Sequence, residues 1–163
     1  MADARVTPEL IDGLMAEALA VARQGASKGE VPVGAVFYHG DRIISAHHNL
    51  VETNHDASAH AEMLVMREAS HLLGDWRLNQ GILCVTLEPC TMCSGAIRLS
   101  RVGTLVFGAA DPRLGAVGSL YDVCEDRRLG ECPRIIREVR EVECRELLQD
   151  FFAAIRMRKE RKS

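Results

Sequence analysis

Pro89-Cys90-Thr91-Met92-Cys93, together with the upstream stretch His60-Ala61-Glu62, decides how this chain is organised. Two thiols three positions apart can aim both sulfurs at one point at a helix start, where free N–H groups and the helix dipole stabilise thiolates. One imidazole completes three ligands that suit zinc. Structural zinc sites take four protein ligands, whereas catalytic sites take three and leave a position for water. The sequence therefore predicts a catalytic metal site made by His60, Cys90 and Cys93.

Glu62 follows His60 by two residues and is the candidate base of this site. Two thiolates balance the charge of a divalent metal, so a nearby base becomes more useful for taking a proton from water. If both residues were fully helical, their side chains would point about 200° apart around the helix. Both can face one site only if His60 lies at an irregular first turn, which we expect from the loop-like sequence before it.

Each part of this pattern also has an ordinary interpretation. Cys90 and Cys93 could be a redox dithiol or two buried thiols, and a lone His60 would more often be a core histidine than a ligand. A lone Glu62 would more often be a surface acid on a helix. The combination of H-x-E with a later P-C-x-x-C is far more specific than its parts, and it is the signature of zinc nucleobase deaminases.

Length and composition indicate one ordinary domain, which we expect to span residues 1–163. The chain is 47% apolar and 26% charged, a globular balance. No apolar run approaches the ~20 residues of a membrane span, and the N-terminus lacks a signal pattern, so we expect a cytoplasmic protein. Its six cysteines are then expected to bind metal or to be buried thiols rather than to form disulfides.

The net charge of −3 argues against a uniformly basic surface. A local basic stretch nevertheless occupies the end of the last predicted helix, at about residues 156–163. Its cations could contact nucleic acid or simply complement the dipole of the helix end. They are Arg156, Arg158, Lys159, Arg161 and Lys162.

Strand and helix patterns alternate along the chain, which predicts an α/β domain with helices on both faces of one sheet. A hairpin over residues 33–46, turning at His39-Gly40-Asp41, makes the predicted sheet mixed. Residues 47–56 and the glycine-rich segment 108–118 are predicted loops. The predicted strands are 33–38, 42–46, 82–87, 104–107 and 135–139. The predicted helices run from Thr7 to Gly25, from His60 to Gly74, from Pro89 to Leu99 and over 143–158.

Over roughly residues 8–155 the sequence resembles the bacterial tRNA-specific adenosine deaminases of the zinc-dependent cytidine/deoxycytidylate deaminase superfamily. The resemblance implies a three-layer α/β/α cytidine-deaminase-like fold with a mixed sheet of about five strands. It also implies a homodimer with one Zn²⁺ per subunit and hydrolysis of the wobble adenosine of an arginine tRNA to inosine. The segments that carry it are Glu-Val-Pro-Val-Gly-Ala-Val at 30–36, Ala-His-Ala-Glu at 59–62, Val-Thr-Leu-Glu-Pro-Cys-Thr-Met-Cys at 85–93 and Gly-Ala-Val-Gly-Ser-Leu at 115–120.

The resemblance also implies a role for individual residues. It makes Glu62 the proton shuttle, and it makes Asn49 a contact to the target base and its ribose. It further implies residues that line the base pocket and residues that meet the anticodon stem-loop, although the same residues would also suit a strand core or a turn. The pocket residues are Val33, Ala61 and Leu87, and the expected RNA contacts are Asp111 and Arg113.

Two other functions remain open at the level of sequence. A zinc deaminase of a free nucleobase or nucleoside, of guanine or cytosine type, would use the same catalytic residues and need no basic surface. A non-catalytic binding module stabilised by zinc would need a fourth ligand and would have no use for Glu62.

Overall fold

A computed structural model describes residues 6–163 of the chain. The N-terminal stretch that lacks a signal pattern therefore lies mostly outside the described residues. In chain order the elements are α1 Pro8–Ser27, β1 Gly34–His39, β2 Arg42–His48, α2 Val51–Asn54, α3 Ala61–Leu73, β3 Ile82–Leu87, α4 Thr91–Leu99, β4 Thr104–Ala109, a 3₁₀ turn Arg127–Leu129, β5 Arg134–Ile136 and α5 Glu141–Glu160.

The five strands form one mixed sheet in the order β2-β1-β3-β4-β5. Strand β1 is antiparallel to both β2 and β3, whereas β3, β4 and β5 run parallel to one another. The predicted hairpin is confirmed, and Gly40 and Asp41 at its turn have φ values of 58° and 75°. Positive φ at both central residues is what a type I′ hairpin turn requires.

Alternate residues of the central strands pack into two different cores, because successive side chains of a strand point to opposite faces. Leu83 and Val85 of β3 pack in a cluster that includes Val65 of α3 and Ile97 of α4. Cys84, between them, packs in a second cluster with residues of α1 and α5. The helices therefore cover both faces of the sheet, and the three-layer α/β/α prediction is confirmed.

The prediction of a loop over residues 47–56 is wrong in two places. Strand β2 continues through His47 and His48, which pair with Ala35 and Gly34 of β1. Pairing with the neighbouring strand thus decides the end of β2 in spite of the polar sequence. Residues Val51–Asn54 then form the short helix α2, which ends at His55 in the left-handed conformation with φ of 52°.

Two other predicted boundaries need correction. Helix α1 continues past Gly25 to Ser27. A Cβ at Gly25 would lie 2.9 Å from Cγ of His48, so this glycine permits close packing and does not end the helix. The last strand is shorter than predicted, because the segment after β5 places Glu138 and Arg140 at positive φ, and α5 then begins at Glu141.

One edge of the sheet collects the segments that the sequence analysis singled out. Strands β3 and β4 are parallel, so their carboxyl ends share this edge, and the antiparallel β1 begins there. The segments concerned are therefore the start of β1, the end of β2 and the residues after β3 and β4. Separately, no helix within residues 6–163 has the length and apolar character needed to cross a membrane.

Packing of α1 on β1 depends on Gly34, and a pair of variants tests this. A Cβ at Gly34 would meet the backbone of α1 at Ala18 and lie 2.6 Å from the Ala22 nitrogen. We expect Gly34→Ala to lower the free energy of unfolding by about 1–3 kcal/mol or more. Gly13→Ala, at an exposed position inside α1 with open space around the added Cβ, should raise it by about 0.5–1 kcal/mol. Urea denaturation measures both, and equal stabilities would contradict the packing.

Candidate metal centre

The three predicted ligands come from the starts of two helices. His60 is the N-cap residue of α3, with φ of −70° and ψ of 149°, and Cys90 is the N-cap of α4, with φ of −75° and ψ of 178°. Neither side chain forms a capping hydrogen bond. Because His60 has extended backbone and lies outside the helical turn, the angle between His60 and Glu62 is not the 200° of a regular helix. The expected irregular first turn is confirmed.

The ligand atoms lie close enough together to hold one metal ion. The Sγ atoms of Cys90 and Cys93 each lie 3.6 Å from Nδ1 of His60. All three atoms fall within 4.8 Å of one another. Zinc forms bonds of about 2.0–2.1 Å to nitrogen and about 2.3 Å to sulfur. At a tetrahedral angle these bonds place a ligand nitrogen about 3.6 Å from a ligand sulfur. The three side chains therefore fit zinc in type and in spacing.

One thiol of the cluster is favoured in the deprotonated form. A hydrogen bond from Cys93, with a further contribution from His60, lowers the pKa of the Cys90 thiol to about 4. The same hydrogen bond, together with burial, raises the pKa of Cys93. The hydrogen bond to Cys90 raises the pKa of His60. A thiolate is the form of cysteine that binds metal.

Glu62 is buried beside this cluster, with only 4% of its surface exposed. Burial in an apolar environment disfavours the charged carboxylate and raises the pKa of Glu62 to about 7. This residue is therefore not the surface acid that its sequence position alone would suggest. A buried carboxyl group that can gain or lose a proton near neutral pH suits general acid–base chemistry.

Within residues 6–163 the cluster is the only group of three or more possible metal-binding side chains, and it has three members. Cys84, Cys124 and Cys144 are buried elsewhere, and Cys132 is exposed. No fourth cysteine, histidine or acid of the described chain joins the three ligand atoms. This argues against a structural zinc site, which normally has four protein ligands.

Asn49 lies immediately after β2, and its side chain is hydrogen-bonded to a buried acid that the sequence analysis missed. Glu30 is fully buried and accepts hydrogen bonds from Nδ2 of Asn49 at 3.3 Å and from the N–H and hydroxyl of Thr53 at 2.7 Å each. The Asn49 N–H donates to the carbonyl of Val33 at 3.0 Å. The Asn49 amide is therefore fixed in orientation. An acid beside the apolar run Val31-Pro32-Val33 was the available signal.

Three residues predicted to line the base pocket belong to one apolar cluster. Val33 and Ala61 are buried in it, and Leu87 is partly buried against it. Val33 directly precedes β1, Ala61 begins α3 and Leu87 ends β3. The structure brings these residues together, and their contact with a base stays a prediction.

The loop after β4 carries the two expected RNA contacts, and its conformation depends on a second buried acid that was missed. One carboxylate oxygen of Asp111 accepts the N–H groups of Arg113 at 2.9 Å and Leu114 at 3.2 Å, which makes a local turn. Arg113 is exposed. Glu88, two residues before Cys90, is 2% exposed and accepts four hydrogen bonds from this loop. A charged residue directly after the apolar strand β3 was the signal.

The chain is similar in sequence and in structure to known deaminases. Residues 8–109 match the cytidine and deoxycytidylate deaminase zinc-binding region. A tRNA-specific adenosine deaminase of Bacillus subtilis is 46% identical over 89% of this chain and 90% of its own length. A solved structure from a study of A-to-I editing by tRNA:A34 deaminases at the wobble position is 39% identical, with a TM-score of 0.80 over 83% of this chain and 99% of its own.

A more distant solved structure has a different described substrate. A guanine deaminase of Bacillus subtilis is 34% identical, with a TM-score of 0.59, over 64% of this chain and 66% of its own. Sequence identity and TM-score are therefore both higher for the tRNA:A34 deaminase structure than for this guanine deaminase structure.

Metal content separates the ligands from the base. We expect Cys90→Ala to lose most of its zinc on dialysis, because two ligands hold the ion far less tightly than three. Glu62→Gln should retain about one zinc, since no ligand is removed. Cys132→Ala is the matched control, because this thiol is exposed and outside the cluster. Plasma mass spectrometry measures the metal, and full zinc in Cys90→Ala would remove Cys90 from the ligand set.

Proposed function

The chain belongs to the tRNA-specific adenosine deaminases, within the family defined by the cytidine and deoxycytidylate deaminase zinc-binding region, and from this we propose that it converts the wobble adenosine of a tRNA anticodon to inosine. The reaction is hydrolysis of the amidine carbon–nitrogen bond, with water entering and ammonia leaving. An arginine tRNA is the proposed substrate. Support for tRNA as the substrate class comes from the relative at 46% identity and the wobble-editing structure with a TM-score of 0.80.

His60, Cys90 and Cys93 are the proposed holders of one Zn²⁺ per subunit, through the three atoms that lie within 4.8 Å of one another. When bound, zinc supplies a Lewis acid that lowers the pKa of water from its bulk value towards about 7. The two cysteines, at the start of α4, also place their negative charge where the helix dipole favours it.

Glu62 is the proposed proton carrier, and its burial beside the ligand cluster is the observation that most favours a catalytic site. It takes a proton from the attacking water as the new C–O bond forms at the amine-bearing carbon of adenine. It delivers this proton to the ring nitrogen, and it then transfers the remaining proton from the new hydroxyl group to the departing amine. The carbon–nitrogen bond breaks, ammonia leaves, and the carboxylate returns to its first state.

Asn49 is proposed to bind the target base and its ribose, with Val33, Ala61 and Leu87 forming the apolar walls of the base pocket. The carboxylate of Glu30, 3.3 Å from Nδ2 of Asn49, fixes the direction of the amide donors. Fixed donors favour one orientation of a polar base edge, whereas apolar walls exclude water and accept either face of the ring.

Contact with the rest of the anticodon stem-loop is assigned to Asp111 and Arg113, with the basic helix end at 156–163 as a further candidate. Exposed cations attract phosphates, and an unpaired loop lets its base turn out at low cost.

A homodimer acting in the cytoplasm is proposed from the same family resemblance, and sedimentation of the zinc-loaded protein would test the dimer.

Deamination of a free guanine or cytosine is the second candidate. It is favoured by the 34% identity to a guanine deaminase structure and by the net charge of −3. It would use the same ligands and Glu62 and would leave the RNA contacts without a role.

The substrate class is decided by parallel assays. We expect inosine at the wobble position of an unmodified arginine tRNA transcript and no turnover of free adenosine, guanine or cytosine. A transcript with guanosine at the wobble position serves as the matched control. Conversion of a free base with an untouched tRNA would replace the proposed substrate by the second candidate.

Removing the proton carrier should separate chemistry from binding. Glu62→Gln keeps the size of the side chain but removes the base, so we expect the kcat for tRNA to fall by about 10²- to 10⁴-fold. Zinc content and thermal unfolding should stay close to those of the wild type. Near-normal turnover in this variant would refute the role of Glu62.

A further inference from the structure

The loop of residues 110–119 lies beside the candidate metal centre. The Ala116 N–H donates to the carbonyl of Pro89 at 2.9 Å, and the Glu88 N–H donates to the carbonyl of Ala109 at 2.8 Å. These contacts tie the loop to the segment that leads directly into Cys90. Its outer residues 112–114 are exposed and include the cation Arg113. A polynucleotide whose target base enters the site therefore passes close to these exposed residues.

Both ends of the loop converge on the single carboxylate of Glu88. Its Oε2 accepts the N–H of Asp111 at 2.9 Å, near the start of the loop. Its Oε1 accepts the N–H groups of Val117 and Ser119, each at 3.0 Å, near the end. The hydroxyl of Ser119 also donates to Oε2. One buried side chain thus supplies the acceptors for three backbone N–H groups.

The loop depends on this carboxylate because residues 110–119 belong to no strand or helix. Backbone N–H groups that are withdrawn from water without an acceptor are costly. Gly115 shows how closely the loop wraps around the acid, since a Cβ there would meet the Glu88 carboxylate and lie 2.5 Å from the Asp111 carbonyl oxygen. Glu88 therefore selects one loop conformation out of many.

We propose that Glu88 is a positioning residue that presents the 110–119 loop to RNA and so determines affinity for the tRNA, while the chemical step depends on Glu62. This inference rests on the proposed function. A purely structural Glu88 would instead support the turn before Cys90, and its loss would then release zinc and lower kcat. The two roles differ in which kinetic parameter changes.

Glu88→Gln tests the proposal with little change of volume. The amide replaces one acceptor oxygen by an N–H₂ donor, which then faces backbone donors of the loop. We expect the KM for a zinc-loaded enzyme acting on an anticodon stem-loop to rise about 10- to 100-fold. The kcat should change by less than about threefold, and zinc content should not change. Glu17→Gln, an exposed acid on α1, is the matched control and should change neither parameter.

A double-mutant cycle with Arg113→Ala shows whether Glu88 acts through the loop. If it does, Glu88→Gln should raise KM less in the Arg113→Ala background than in the wild type, because the misplaced cation is already absent. Strictly additive effects on KM would overturn the proposal. Should Glu88→Gln fail to fold, Ser119→Ala removes one donor to the same carboxylate and is expected to raise KM about 2- to 10-fold.

The outcomes separate this proposal from the function on which it rests. A wild-type enzyme inactive on the stem-loop would overturn the proposed function and this inference together. An active wild type with an unchanged KM in Glu88→Gln, or with lost zinc and reduced kcat at unchanged KM, would overturn the inference alone.

Discussion

The meeting of two helix starts at one edge of the sheet is the constraint on which the rest of the structure depends. His60 and Cys90 each occupy an N-cap position, where the backbone is extended and the side chain is free of the helical spacing. The helix N-termini favour negative charge, which stabilises the thiolate of Cys90. Helix α3 packs on β1 and β2 and also contacts α4, and this packing brings the three ligand atoms within 4.8 Å of one another.

Two buried carboxylates hold the irregular segments around this centre. Glu30 gathers donors from Asn49, Glu52 and Thr53, and Glu88 gathers donors from the loop after β4. Neither acid is paired with a cation within the described residues. Each is stabilised by N–H and O–H donors, which is the common solution for a charged group that is withdrawn from water. Segments without regular structure thereby acquire defined positions.

The sequence predicted the features that depend on local pattern. Three features follow from neighbouring residues and are present in the structure. They are the alternation of strands and helices, the Gly40-Asp41 turn and the placing of Cys90 and Cys93 at one helix start. The end of β2 could not be predicted, because it depends on pairing with β1 across the hairpin. Gly25 was misinterpreted for the same reason, since only the fold brings His48 against it. The partners of Glu30 and Glu88 are likewise distant in sequence.

In the proposed function, different kinds of residue carry the chemistry and the recognition of substrate. The ligands and Glu62 lie on two helix starts packed on the sheet, so an unchanged core preserves them. Asn49 and Arg113 lie between regular elements, where a change in one anchoring acid can move a contact without disturbing the ligands. Under the proposed function, this separation would let chains of one fold, such as the structures described as tRNA and guanine deaminases, differ in substrate. On this proposal, substrate choice depends on how the connecting segments are held.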